Sequence, residues 1–150
     1  MKSTTLTAAL LLTAALGFAD TPGRHPAYLH ARADLRRAER VMALPEEPNV
    51  ALDLAAASRE AHEAIREIDA AAAWDRKDID DNPPIDTYPD RPGRLRAAAQ
   101  FLIKARRDIE HEEDNPAARA WRDRALRHID VSIDLLRRAA RDQWRDEWIR

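Results

Sequence analysis

Cysteine is absent from this 150-residue chain. That excludes disulfides, thiolate metal ligands, a thiol nucleophile, covalent haem attachment through C-x-x-C-H and a lipidated N-terminal cysteine. Packing, hydrogen bonding and charge must hold the fold together. Glycine occurs three times and aromatic residues make up 5% of the chain, against 35% charged residues and many alanines. This composition points to long helices and away from sheet. Charge of one sign is also missing: 25 Lys and Arg face 27 Asp and Glu, for a net charge of −2. A nucleic-acid surface shows a basic excess or stripe, so that class of partner is not expected.

Long apolar runs are missing too. The longest, Leu6 to Phe18, falls short of the ~20 residues of a membrane span. With Lys2 before it and Gly17-Phe18-Ala19 at its end, the run reads as a signal peptide over residues 1–19, cleaved near Ala19. The expected product is a single domain over residues 20–150, periplasmic or secreted, with no integral membrane segment in the mature form.

What is present is helical periodicity. Tyr28, Ala31, Leu35, Ala38 and Met42 recur at spacings of 3, 4, 3 and 4, one stripe of a helix. This helix opens at Pro26, a residue tolerated in a first turn, and ends at Pro45 and Pro48. A second helix starts from Asn49 as its cap, runs to about Trp74, and carries Leu54, Ser58, Ala61, Ile65, Ile68 and Ala72. A third opens at Pro92 with Leu95, Ala98, Leu102, Ala105 and Ile109. A fourth starts at Asn115-Pro116 with Leu126, Ile129, Ile133, Leu136 and Ala140, broadened by Trp121, Ala125, Leu135 and Ala139.

The halves resemble each other. His25-Pro26-Ala27-Tyr28-Leu29 matches Arg91-Pro92-Gly93-Arg94-Leu95, and AIREID at 64–69 matches ALRHID at 125–130. The expected fold is all-α: an antiparallel four-helix bundle of two duplicated αα-hairpins, at about 26–74 and 92–148. Residues 75–91 link the hairpins, either across one end of the bundle or along it.

The linker carries KDIDDNPPID, in which Asp78, Asp80 and Asn82 alternate as in a calcium loop. An EF-hand also needs glycine at position 6 and a bidentate glutamate at position 12. Here those positions hold Pro83 and Pro89. The competing reading is an acidic connector that caps a helix and is solvated. His30 and Asp34, at i and i+4 with His25 nearby, are a second place where a divalent ion could be chelated. No Glu-x-x-His of a di-iron bundle occurs. Met42 and His128 as haem ligands would be poorly matched in height if Met42 lies level with the start of the fourth helix. No nucleophile elbow is present, and Ser58 and Ser132 read as small core-face residues. Trp144 and Trp148, one turn apart in RDQWRDEWIR, form a strip that could dock a partner or cover the bundle's own end.

HPAYLHARADLRRAER, followed by EID, KDIDDNPP and GRL, resembles a family of small secreted bacterial helical proteins with no established activity. Their HPxYLHALxDLR-like opening, K-D-x-x-D-x-P-P linker and two hairpins span most of the mature chain. The resemblance implies export and a helical bundle, and it implies no catalytic or ligand residues. There is a looser likeness to small periplasmic metal-binding four-helix bundles, which are far richer in histidine. The function expected is that of a non-enzymatic binding or interaction protein for an unidentified protein partner or small ligand. The alternative is low-capacity divalent-metal binding at His25, His30, Asp34, Asp78, Asp80 and Asn82. No other cofactor is expected.

Overall fold

The computed structural model describes residues 26–74, 79, 80, 82, 93–110 and 116–149, with side chains from residue 27 to residue 143. The leader at 1–19, His25 and Asp78 lie outside the described residues. Four helices form: α1 (Pro26–Met42), α2 (Pro48–Trp74), α3 (Arg94–Glu110) and α4 (Arg119–Ile149). The packed pairs are α2 with α4, α1 with α3, α1 with α2, and α3 with α4, leaving α1/α4 and α2/α3 as diagonals. The architecture is an all-α four-helix bundle.

Three helix starts differ from the sequence reading. Asn49 is not the cap of α2. The carbonyl of Glu47 accepts from the amides of Val50 and Ala51 at 3.0 and 2.9 Å, and Pro48 occupies the first helical position, where its missing N–H costs nothing. α3 opens at Arg94 rather than Pro92, because Gly93 caps it. Gly93 has φ +110°, and its carbonyl accepts from the Ala97 amide at 3.0 Å. A side chain rarely adopts that backbone conformation, so glycine suits the position. α4 begins after a turn at residues 116–118, with the Ala118 carbonyl accepting from Trp121 and Arg122.

Directions follow from the cross-links. Arg94 donates to the Pro45 carbonyl at 3.0 Å and pairs with Glu46, so α3 begins where α1 ends and runs back against it. Ala57 meets Ser132, Glu67 meets Arg124 and Asp53 meets Arg138, so α4 runs antiparallel to α2. The hairpins α1–α2 and α3–α4 are therefore joined between opposite ends of the bundle. Trp74 and Gly93 therefore lie about the length of α2 apart, ~40 Å for 27 residues at 1.5 Å per residue. Asn82 hydrogen-bonds Arg36, two-thirds of the way along α1.

The stripes expected on α1 and α3 are buried in full, with Phe101 added. On α2 the buried face is broader than expected. Ser58 sits at its margin, and Val50, Ala57, Ala64 and Ala71 complete it. On α4, Leu126, Leu135 and Trp121 are half-buried while Ala125, Ile129, Ser132, Ile133, Leu136 and Ala139 are fully enclosed. Alanines facing across α2 and α4 let the backbones approach closely. Ser132 Oγ donates directly to the Ala57 carbonyl of the facing helix at 2.8 Å. The matched AIREID and ALRHID segments also play matched parts. Ala64 and Ala125, and Ile68 and Ile129, are all buried. Asp69 binds Arg32 of α1 at 2.9 Å, and Asp130 binds Arg106 of α3 at 2.8 Å. Each hairpin thus ties its long helix to its short one with the same aspartate.

Candidate functional site

α1 carries the first group of candidate residues. His30 and Asp34 stand one turn apart, with Asp34 wholly buried. Between them Arg32, 2% exposed, reaches to Asp69 on α2. One turn further, Arg36 donates to the side-chain oxygen of Asn82, whose amide nitrogen donates to the Asp80 carbonyl at 2.7 Å. Asn82 therefore bridges Arg36 of α1 and the Asp80 carbonyl. A guanidinium sits on the amide oxygen that a calcium ion would need, and two cations do not share one such oxygen cheaply. Among the described residues, no three His, Asp or Glu gather as a metal set. The backbone at Trp144 and Trp148 belongs to α4, but their side chains lie outside the described residues.

A second arrangement was not anticipated. Asp53, Glu60, Glu67 and Trp74 recur every seventh residue along α2, the spacing at which one flank of a helix faces a neighbour. All four meet α4. Arg138 grips both oxygens of Asp53 at 2.8 Å, His128 pairs with Glu60 at 2.7 Å and Arg124 with Glu67 at 2.8 Å. Trp74 packs on Trp121 with ring centroids 5.6 Å apart and planes tilted by 42°. Arg124 also lies 5.9 Å over the Trp121 ring. The guanidinium pKa values of Arg138 and Arg124 are raised, chiefly by their hydrogen bonds to Asp53 and Glu67. That of Arg106 is raised chiefly by its bond to Asp130, with Glu110 second. This ladder fastens α2 to α4, and His128 is one of its rungs. His62 is similarly occupied, 3.2 Å from Glu39.

The third feature is a groove of about 570 Å³ at the α1–α2 turn. It exists because α2 starts well beyond the end of α1. Glu39 meets His62, and Met42 lies beside Ser58 and Arg59. The first ten residues of α2, ~15 Å of helix, therefore project past α1. The 43–47 turn folds back alongside them without filling the angle. Met42 and Leu54 form the floor, Ala51 and Ala55 one wall, and Leu44, 52% exposed, the lip. The same overhang corrects the expected height of Met42. It is not level with the start of α4 but with the middle of α2, close to the Glu60 that His128 engages. Met42 and His128 nonetheless sit on diagonal helices.

A second groove of about 430 Å³ lies along α4, lined by Val131, Asp134, Leu135, Arg137, Arg138 and Arg141. Among the described residues no helix is long and apolar enough to cross a membrane. Neither a protein-family model, nor a curated protein, nor a solved structure matches this chain.

Proposed function

We propose that this chain is an exported, non-enzymatic binding protein, and that it binds through the groove at the α1–α2 turn. The observation that carries the reading is an apolar recess of about 570 Å³ left open by two helices of unequal length, 17 and 27 residues. That volume falls in the range of small-molecule sites, ~300–1,000 Å³. Leu44, about half exposed, is part of its lining. A bundle stabilised only by burial gains nothing from leaving the Leu44 side chain half in water beside an unfilled hollow. The remaining polar side chains of the middle of the bundle are largely committed to ion pairs between helices.

A neutral solvatochromic dye, Nile red, tests the reading. The folded protein should bind it with a blue shift in emission. Ala55→Trp, an exposed position on the groove wall, should abolish binding while leaving the circular dichroism and melting of the bundle unchanged. Equal dye binding by the wild type and Ala55→Trp would remove the groove from the account.

A further inference from the structure

We propose that the ligand of this groove is a small amphiphilic anion, an apolar chain ending in a carboxylate, with Arg59 holding the carboxylate. The inference rests on the binding reading above and adds the chemistry of the ligand. The apolar half follows from the floor and wall, where Met42, Leu54, Ala51 and Ala55 offer no polar side-chain atom. The anionic half follows from the charges at the rim.

Two charged side chains line the groove, Glu46 and Arg59. Glu46 is already neutralised, because its carboxylate pairs with Arg94, which also holds the neighbouring Pro45 carbonyl. Arg59 is different. It is exposed, and it makes no ion pair among the described residues. The carboxylate best placed to neutralise it is Glu63, one helical turn on at i+4. Glu63 instead binds Arg66, with both oxygens within 3.0 and 3.2 Å of one guanidinium nitrogen. The groove therefore carries one uncompensated positive charge at the edge of an apolar floor. Ser58, beside Arg59 on the same wall, supplies a hydroxyl to a second carboxylate oxygen. A guanidinium presents a planar fork that matches a carboxylate with two parallel hydrogen bonds, and such bonds are roughly twice as strong as neutral ones. A ligand that is apolar throughout would leave this fork unused. A short hydrophilic anion would leave the floor wet.

Isothermal titration of the full chain tests this with decanoate and its neutral counterpart decanol as probes. Decanoate should bind at one site, and decanol at least about tenfold more weakly, as expected when a charge-assisted hydrogen bond is lost. Arg59→Gln should bring decanoate down to the level of decanol and leave decanol unchanged. Ala55→Trp should remove both. If decanoate and decanol bind alike and Arg59→Gln changes neither, the ligand class is wrong while the binding groove stands. If neither probe binds and Nile red does not bind either, the binding reading falls with it. If the protein instead self-associates with rising concentration, and Ala55→Trp abolishes that, the groove is a contact between copies and the proposal is overturned.

Discussion

Ser132 offers a sharp test of how closely α2 and α4 approach. Its side chain is fully enclosed, and its hydroxyl donates to the Ala57 carbonyl across the seam at 2.8 Å. Ala57 lies inside α2, so its carbonyl keeps a helical partner when the hydroxyl is removed. Ser132→Ala therefore loses one hydrogen bond and orphans nothing, a cost of about 0.5–1.5 kcal/mol. For a chain of this size that lowers the melting temperature by about 3 °C. Ser132→Val loses the same bond and also places methyl groups where an oxygen sits at hydrogen-bond distance from backbone. Overpacking adds about 1–3 kcal/mol, for a total of about 1.5–4.5 kcal/mol and a fall of about 5–14 °C. Urea denaturation followed by circular dichroism at 222 nm would measure both variants. The order of stability should be wild type, then Ser132→Ala, then Ser132→Val. A valine variant as stable as the alanine variant would mean that the seam has room to spare and that the close approach is wrong.

Gly93→Ala should cost about 1–2 kcal/mol in the same assay, the penalty of a side chain at positive φ. The added Cβ meets nothing within 4 Å, so the loss is backbone strain and not a clash. Raising sodium chloride to 1 M, where screening acts within about 3 Å, should lower the melting temperature by a few degrees through the exposed α2–α4 ladder. Glu67→Gln should make the melting less sensitive to salt, and an unchanged slope would mean that the Arg124 pair adds nothing. Millimolar calcium should leave the melt of the metal-stripped protein unchanged, because Arg36 occupies the Asn82 oxygen. A rise of several degrees, lost on chelation, would show that an ion displaces it.

The helices and their buried stripes were legible because leucine, isoleucine and tyrosine recur on one face. α1 and α3 could be oriented from Tyr28, Leu35, Leu95 and Leu102 alone. Alanine was the difficulty on α2. It is tolerated on any face, so Ala57, Ala64 and Ala71 could not be assigned to the core until their partners on α4 were known. The ion-pair ladder was half legible, since the seven-residue spacing of Asp53, Glu60, Glu67 and Trp74 is visible in the chain. The answering residues fall into two interleaved sets, Trp121 and His128 seven apart and Arg124 and Arg138 fourteen apart, and neither forms an unbroken run. The Asp80 and Asn82 pattern resembled a metal loop locally, and only the fold reveals Arg36 beside it. The groove was not legible at all. It is a consequence of where α2 starts relative to the end of α1, a tertiary offset that no local pattern encodes.

Amide chemical-shift mapping of the isotope-labelled protein during a decanoate titration is the most direct test of the central claim. The account predicts saturable shifts concentrated at Met42, Leu44, Ala51, Leu54, Ala55 and Arg59, with the middle of α3 unmoved. Shifts centred on the α4 face around Val131 and Leu135, or no shifts at all, would contradict it.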